Sequence, residues 1–316
     1  MTNLFDKIQN SFSFLDFSFN SLKKVDEAIG NYLYSMGQAE EVGGESNGQL
    51  ILDGMAFTEF PQEVLTLKTL TLLSICSNQI VDIPPQINHL VALQKFYASD
   101  NRIKRLPDQF TSMYELRLIE AEKNELKNVP EGMGILEEIE TLVFNQNHFE
   151  IVPLELGKIK KLRVLAMEGN PLKYPFNVLF ARGFDKVIDF LVSVAEGHKT
   201  KTIDLGGIQF TKVPEALKEE TYAESIILHG NDLMSVPSFC HNPAFTELRS
   251  LSLAENNLTE LPREIYKITS LTRLDLQFNR LRNLPDYIGD LTRLTDLNIS
   301  NNVIVSLPFI ISSKLF

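Results

Sequence analysis

Residues 271–285 read LTRLDLQFNRLRNLP, and this stretch decides the fold. Its apolar residues share one frame with an asparagine and a proline: Leu271, Leu274, Leu276, Asn279, Leu281, Leu284 and Pro285. A second stretch, LVFNQNHFEIVP at residues 142–153, follows the same frame. Recurrence of one frame along a chain indicates an internal repeat, and a repeat determines how every other pattern is interpreted.

The asparagine of this frame recurs at a nearly constant spacing. One set is spaced by 23 residues throughout: Asn78, Asn101, Asn124, Asn147 and Asn170. A second set is spaced by 25, 23 and 23 residues: Asn231, Asn256, Asn279 and Asn302. The pattern LxxLxLxxNxLxxLP with this period is that of the leucine-rich repeat.

The frame predicts a definite local structure. Leu274 and Leu276 alternate with a period of two, which places both on the buried side of a strand. Asn279 stands where the chain leaves that strand, and its amide can both donate to and accept from backbone groups of the turn. A single repeat cannot bury its apolar side alone, so neighbouring repeats must stack. We therefore predict an α/β leucine-rich-repeat solenoid, a curved horseshoe of about 12 repeats with a parallel β-sheet on its concave face.

Two interruptions divide the repeats into blocks. A degenerate repeat around Asn20 lies 35 residues before Met55, and 38 residues separate Asn170 from Ile208. Met55 and Ile208 are in phase with the asparagines and follow the interruptions, so each is predicted to open a block. The predicted boundaries are 1–46 for an N-terminal cap with one degenerate repeat and a linker, 47–175 for the first block, 176–198 for a helical interruption and 199–316 for the second block.

Helical spacing of apolar residues marks two segments outside the repeats. In the second interruption it predicts an amphipathic helix over residues 184–195, from Phe180, Phe184, Val187, Ile188, Leu191 and Val194. At the N-terminus it predicts a short capping helix, from Leu4, Phe5, Ile8 and Phe12.

The repeats resemble those of a group of intracellular proteins. The 23-residue LP-type repeat is similar to that of Ras-suppressor and Ras-scaffold proteins and their plant Ras-group relatives. The runs LRVLAMEGNPL, ARGFDKVIDFL and TIDLGGIQFTKVP resemble the junction between two blocks in the family of leucine-rich-repeat-containing protein forty. This resemblance implies an intracellular, non-catalytic interaction protein of signal transduction, whose partner is another protein such as a small GTPase or a phosphatase.

Composition and charge exclude several classes of protein. The chain has 316 residues, of which 44% are hydrophobic, and a formal net charge of −11. This apolar fraction excludes disorder, and the acidic balance argues against a nucleic-acid partner. Cys76 and Cys240 are too few for a disulfide scaffold or a cysteine zinc site. Since the sequence also shows neither a signal peptide nor a membrane-spanning apolar run, we expect a monomer of the cytoplasm or nucleus without a membrane partner.

The concave strand residues are the candidate partner-binding surface. In each repeat, the residue between the two strand leucines and the residue after them point to the concave side. One acidic stretch with an aromatic residue stands out, and we predict that it binds a basic partner: Tyr97, Asp100, Glu120, Glu122, Val143, Asn145 and Glu168. The alternative is that these charges only keep the strands soluble, and nearby basic residues dilute their field: Lys95, Arg117, Lys123 and Arg163.

A second candidate surface lies in the later repeats. It contains Asp275, Gln277 and Phe278, close in sequence frame to Arg273, Asp296 and Asn298. Phe278 follows its strand at a position where polar residues or glycine are commoner in this chain. Two interpretations stay open for its side chain, exposure as an anchor for a partner and packing against the neighbouring turn.

The sequence contains no catalytic, metal-binding or cofactor-binding pattern. GGESNGQL at residues 43–50 has the glycine spacing of a phosphate loop but carries Gln49 in place of the lysine, so we interpret it as a linker. The histidines lack the HExxH spacing of a zinc site, and nothing basic aligns with Cys76 to activate its thiol. We therefore predict a scaffold or adaptor without catalytic residues, metal or cofactor. Two alternatives stay open: a recognition module whose effector domain lies beyond Phe316, and an enzyme, for which the sequence offers no nucleophile constellation.

Overall fold

The computed structural model describes residues 26–31, 48–242 and 244–308. Residues 26–31, within the predicted N-terminal cap, form a helix, α1. The predicted capping helix over residues 4–12 and the degenerate repeat around Asn20 lie outside the described residues. The last eight residues lie outside them as well.

In the described part of the chain, eleven strands of three residues each form two parallel sheets, with one strand per repeat. The first sheet has the order β1 Gln49–Ile51, β2 Leu72–Ser74, β3 Lys95–Tyr97, β4 Leu118–Glu120, β5 Thr141–Val143 and β6 Val164–Ala166. The second contains β7 Thr202–Asp204, β8 Ser225–Ile227, β9 Ser250–Ser252, β10 Arg273–Asp275 and β11 Asp296–Asn298, again in chain order. Neighbouring strands pair one repeat apart, so that Tyr97 lies opposite Glu120 and Asp275 opposite Asn298. The predicted parallel stacking of repeats is confirmed.

Short 3-10 helices form the opposite side of the repeats: Gln62–Thr66, Pro85–His89, Asp108–Ser112, Met133–Ile135, Leu154–Lys158, Glu215–Glu219, Ser238–His241, Arg263–Lys267 and Asp286–Asp290. A proline precedes each of them except Met133–Ile135, which follows Gly132. Proline suits this position because its ring fixes φ near the helical value and its missing N–H removes a donor that the first turn would leave without a partner. The proline of the repeat therefore starts the return path to the next strand.

The asparagines form the predicted ladder of hydrogen bonds. Asn147 is only 2% exposed, and its Oδ1 accepts from the backbone N–H of Leu126 in the preceding repeat at 2.9 Å. Its Nδ2 donates to the carbonyl oxygens of Ala121 at 2.9 Å and Phe144 at 3.1 Å. Asn78, Asn231 and the other ladder asparagines repeat this pattern. The ladder satisfies backbone groups that the turn would otherwise bury without partners.

The residue before each ladder asparagine adopts a left-handed backbone. Phe278 has φ 52° and Asp100 has φ 59°, and glycine occupies the same position as Gly169 and Gly230. This conformation is what turns the chain sharply out of the strand, and it is disfavoured for residues with a Cβ. Met55 and Ile208 occupy the asparagine position in the repeats that contain β1 and β7, the first strands of the two sheets. Among the described residues, neither repeat has a preceding strand in its sheet for an amide to reach, and this accounts for the apolar residue at that position.

The described residues fall into two compact units. The first unit consists of the described residues up to Glu150 together with Lys161–Pro171. The second unit consists of Ile151–Lys160 together with the described residues from Leu172 onward. The second unit contains two helices, α2 Phe176–Ala181 and α3 Phe184–Thr200. The predicted helix over residues 184–195 is confirmed, but it extends to Thr200. The last turn contains Gly197, which is buried close to Tyr222. A Cβ at this position would lie 2.7 Å from the Tyr222 hydroxyl, so that the close contact depends on glycine.

Helix α3 packs on the other elements of the second unit through aromatic and small residues. Phe190 lies edge-on to Phe176 and Phe210, with ring centroids 5.7 and 6.1 Å apart. Gly157 meets the helix backbone, where a Cβ would overlap the carbonyl of Leu191 and lie 2.8 Å from the amide nitrogen of Val192. The helix therefore covers apolar core that in other repeats is covered by the next repeat.

Candidate functional site

The solvent-facing side of the first sheet carries three rows of residues, which together we call the first strand face. The front row contains the first residue of each strand: Gln49, Leu72, Lys95, Leu118, Thr141 and Val164. The middle row contains the last residue of each strand: Ile51, Ser74, Tyr97, Glu120, Val143 and Ala166. The rear row lies two residues further along each repeat: Asp53, Cys76, Ser99, Glu122, Asn145 and Glu168. The residues between the rows, such as Phe96 and Ile119, are buried, so the rows share one side of the sheet.

The predicted acidic stretch occupies adjacent strands of this face. Strand pairing brings Tyr97 opposite Glu120 and Glu120 opposite Val143 in the middle row. Glu122 and Asn145 are neighbours in the rear row, where Asn145 Nδ2 lies 3.5 Å from Glu122 Oε2. The structure therefore brings together an aromatic ring, an aliphatic side chain and several carboxylates on strands about 4.8 Å apart.

The front row adds apolar residues that the sequence analysis missed. Leu72 and Leu118 are half-buried, and Val164 is 43% exposed. The middle row contributes further apolar surface at Ile51 and Val143. The signal that could have found the front row is the residue directly before the first strand leucine, which strand periodicity also places on the exposed side. The front row thus carries apolar residues on alternate strands, with Gln49, Lys95 and Thr141 between them, whereas the rear row contains the carboxylates.

Half of the rear row has a structural role. The side-chain oxygens of Asp53, Ser99 and Asn145 accept hydrogen bonds from the backbone N–H groups of Cys76, Glu122 and Glu168, at 2.8, 3.1 and 2.8 Å. Each bond joins one repeat to the next and satisfies a donor at the end of the strand. The polar type of these three residues is therefore explained by the fold, without a partner.

The carboxylates of Glu120, Glu122 and Glu168 have no such explanation. Among the described residues, no Lys or Arg forms an ion pair with any of the three. Their contacts within the chain are weak: Ser99 Oγ donates to Glu120 Oε1 at 3.4 Å, and Asn145 Nδ2 to Glu122 Oε2 at 3.5 Å. The face therefore carries negative charge that the described part of the protein leaves uncompensated.

The other charged residues of the predicted stretch lie at its margins. Asp100 stands one residue beyond the rear row, in the left-handed turn, and is exposed. Lys123 occupies the same turn one repeat later. Arg117 and Arg163 precede the front row by one residue, and an Arg117 nitrogen lies 3.9 Å from a Glu138 carboxylate oxygen, away from the acidic rows. Only Lys95 lies within the rows, in the front one. The basic residues thus dilute the acidic field less than the sequence alone suggested.

The Cys76 thiol and the Tyr97 hydroxyl of this face have pKa values raised above their ordinary values. Burial raises the pKa of the Cys76 thiol, although a hydrogen bond with Ser74 opposes the rise. Burial also raises the pKa of the Tyr97 hydroxyl, and the negative charge of Glu120 adds to the effect. Both groups stay protonated at pH 7. Cys76 is therefore not a thiolate nucleophile, whereas Tyr97 can donate a hydrogen bond to a partner.

In the second unit, the residues of the second candidate surface are largely engaged with one another. Asp275 Oδ1 accepts from the backbone N–H of Gln277 at 3.1 Å, and Gln277 Oε1 accepts from Asn298 Nδ2 at 3.0 Å. An Arg273 nitrogen lies 3.9 Å from an Asp296 oxygen. Four of these residues, Arg273, Asp275, Asp296 and Asn298, line a recess of about 660 Å³. Its lining also contains three small residues: Ser225, Ser250 and Ser252.

Phe278 is the exposed apolar residue of this second surface. Its side chain is 52% exposed, which favours the anchor interpretation over packing against the turn. Its backbone is left-handed, with φ 52°, a conformation that costs a residue with a Cβ about 1–2 kcal/mol. The protein therefore keeps a large apolar side chain at a position where both solvent and backbone disfavour it.

Phe278→Gly is expected to raise the free energy of unfolding by about 1 kcal/mol, because glycine adopts the left-handed conformation without steric cost. Urea denaturation followed by circular dichroism measures this change. Asn301→Gly, at the same turn position with φ 53°, is the control and should gain less, because asparagine already tolerates this conformation. A loss of stability in Phe278→Gly would show that the ring packs against its neighbours.

Within residues 26–31, 48–242 and 244–308, no three His, Cys, Asp or Glu side chains are arranged to hold a metal ion. No helix in these ranges has the length and apolar character needed to cross a membrane.

Two family models match the chain. A leucine-rich repeat region covers residues 50–177, and a leucine-rich repeat covers residues 246–304. No curated protein matches the chain by sequence.

Several solved structures are similar in repeat architecture. A leucine-rich-repeat protein of Leptospira interrogans is 20% identical, with 82% of this chain and 79% of that chain covered and a TM-score of 0.35. An internalin of Listeria monocytogenes is 17% identical, with 82% and 74% covered and a TM-score of 0.39. The ectodomain of the Arabidopsis thaliana receptor kinase GASSHO1/SCHENGEN3, solved in complex with CASPARIAN STRIP INTEGRITY FACTOR 2, is 26% identical, with 79% and 29% covered and a TM-score of 0.36. With TM-scores below 0.5, none of the three identifies a function for this chain.

Proposed function

Because this chain is a leucine-rich-repeat protein, we propose that it is a non-catalytic interaction module that binds a protein partner on its first strand face. One observation carries the proposal: within the described ranges, Glu120, Glu122 and Glu168 have no ion-pair partner, and they lie beside exposed or half-buried apolar residues. Charges that the fold does not use are available to a basic partner, and the adjacent apolar side chains supply the contact area that such a partner needs.

The resemblance to Ras-suppressor and Ras-scaffold repeats supports a finer version of this proposal. In that version the protein is a monomeric scaffold or adaptor of intracellular signalling, in the cytoplasm or nucleus, and its partner is a signalling protein such as a small GTPase or a phosphatase. An enzymatic role is not proposed, since Cys76 is a protonated thiol and the described residues offer no metal cluster. A recognition role within a longer polypeptide is compatible with the same binding face.

Reversing two charges of the face tests the proposal. The double variant Glu120→Lys and Glu122→Lys is expected to weaken capture of the partner, identified by affinity purification and mass spectrometry, by at least about tenfold, because each reversal replaces an attraction with a repulsion. The affinity of the identified partner for the purified variant gives the fold-change.

The matched control places the same charge change elsewhere on the first unit. Glu131 and Glu137 are exposed and flank the 3-10 helix Met133–Ile135, on the opposite side of the repeat from the strands. Glu131→Lys with Glu137→Lys should leave capture within about twofold of the unmodified protein. Equal loss in both double variants would show that only net charge matters, and unchanged capture by the Glu120 and Glu122 variant would contradict the proposal.

A further inference from the structure

We infer that the segment bound on the first strand face is an amphipathic α-helix with one basic edge, lying across the strands of the first sheet. This inference rests on the proposed function and adds the chemistry and conformation of the partner segment. It follows from the order of the three rows, from their spacing and from the absence of free backbone groups on the face.

The order of the rows determines where the partner segment must carry apolar and basic side chains. The front row presents Leu72, Leu118 and Val164 on alternate strands, and the rear row presents Glu122 and Glu168. Between the apolar residues the front row carries polar ones, Gln49, Lys95 and Thr141. Each row runs across all six strands, because the strands pair in register one repeat apart. A partner that matches both rows must therefore carry an apolar stripe and a parallel basic stripe along its length. An amphipathic helix with Lys or Arg beside its apolar stripe has this arrangement.

The middle row joins the two stripes. Tyr97 and Val143 are half-buried and lie on either side of Glu120. The Tyr97 hydroxyl stays protonated, since burial raises its pKa, so it can donate to a polar group of the partner. Tyrosine and valine here give the apolar stripe a second contact line, next to the carboxylate that faces the basic edge.

The spacing of the rows favours a helix over an extended segment. Neighbouring residues of a row are about 4.8 Å apart, the distance between paired strands. Successive turns of an α-helix are about 5.4 Å apart, so a tilt of about 27° brings turns and strands into step. Side chains on one side of an extended segment are about 6.7 Å apart, so that a much larger tilt of about 44° would be needed to bring them into step. Six strands span about 24 Å, which at this tilt corresponds to a helix of about 18 residues.

The backbone of the first sheet leaves little for an extended segment to bind. The inner strands β2 to β5 are paired on both sides, so their N–H and C=O groups are used within the sheet. A segment added as a strand gains its affinity from main-chain hydrogen bonds at a sheet edge. On the face itself, recognition must come from side chains, which is how a helix binds in a groove.

Designed peptides test the conformation. The first is an 18-residue helix with a leucine stripe and lysines along one edge, the second has two central residues replaced by proline, and the third carries glutamate in place of lysine. Fluorescence anisotropy with the full chain should show that the first peptide binds at least about tenfold more tightly than either of the others, because proline breaks the helix and glutamate reverses the charge. In the Glu120→Lys and Glu122→Lys protein the lysine peptide should lose about tenfold in affinity, and in the Glu131→Lys and Glu137→Lys protein less than about twofold.

Several results would overturn the inference. Binding of the proline peptide within twofold of the helical one shows that a helix is not required. The same loss in both double variants shows attraction between net charges only. Failure of the helical peptide to bind, together with capture of the natural partner that still depends on Glu120 and Glu122, contradicts the helix while the proposed function stands. Loss of that dependence contradicts both.

A photo-crosslinking measurement on the captured partner gives an independent readout. A benzophenone amino acid placed in turn at Tyr97 and at Ala166 samples two positions of the middle row that are three strands apart. This distance is about 14 Å, which separates the crosslinked partner residues by about ten positions in a helix and by about four in an extended segment. A separation near four contradicts the inference.

Discussion

Replacing Gly157 with alanine is expected to lower the free energy of unfolding of the second unit by about 3 kcal/mol, the upper end of the usual cost of overpacking. The added Cβ would overlap the carbonyl of Leu191 and lie 2.8 Å from the amide nitrogen of Val192. Both are backbone atoms in the middle of α3, so no side-chain rotation can relieve the clash, and the helix must move away from Leu154–Lys158. Urea denaturation followed by circular dichroism measures the change.

The control for this substitution is another glycine of the same unit. A Cβ at Gly206 would lie 2.7 Å from the imidazole of His229, which is an exposed side chain and can turn aside. Gly206→Ala should therefore change the free energy of unfolding by less than about 0.5 kcal/mol. If Gly157→Ala is as mild as this control, then α3 is not held tightly against the repeat below it.

Removing a ladder amide should have a similarly large effect. Asn279 is 7% exposed, its Oδ1 accepts from the backbone N–H of Leu258 at 3.0 Å, and its Nδ2 donates to the carbonyl of Leu253 at 2.8 Å. Asn279→Ala leaves these backbone groups buried without partners, and we expect a loss of about 3 kcal/mol in the free energy of unfolding. Thermal or urea denaturation of the purified variant provides the measurement.

Asn302 offers a matched comparison in the same unit. It makes the same set of bonds, to the N–H of Leu281 and the carbonyls of Leu276 and Ile299, but it is only half-buried. Because water can replace its amide, Asn302→Ala should cost only about 1 kcal/mol. Equal losses in the two variants would mean that the cost comes from the turn conformation rather than from buried, unpaired backbone groups.

The fold could be predicted from the sequence because the repeat signal depends on residue types with few substitutes. At the ladder position, only a side chain with both a donor and an acceptor can bond to the N–H of Leu126 and the carbonyl of Ala121 at once, so asparagine recurs there. The extent of α3 was underestimated because its last turn is polar in sequence, and its buried residue there is Gly197, which contributes no apolar signal. The left-handed turns were not predicted, because residues as different as Ser77, Lys123 and Phe278 occupy them.

The candidate site could be predicted only in part. Strand periodicity was enough to place Glu120 and Glu122 on one face, but it did not separate residues with a structural role from those without one. Asn145 proved to bond to the backbone N–H of Glu168, whereas the carboxylate of Glu168 itself has no cationic partner among the described residues. Such distinctions depend on contacts between repeats, which the sequence of one repeat does not contain. The identity of the partner stays a prediction for the same reason.

The asparagine ladder also gives the stack of repeats a direction of growth. Each amide bonds within its own repeat and to the repeat before it, as Asn256 does with the N–H of Leu233 and the carbonyl of Leu228. A 23-residue unit appended after Asn302 would bring its own amide and leave every existing bond in place. A unit inserted ahead of Ile208 would meet a turn that has no amide with which to reach back. Duplication is therefore structurally easy at one end of a block and obstructed at the other, so that a missing asparagine marks where a block starts.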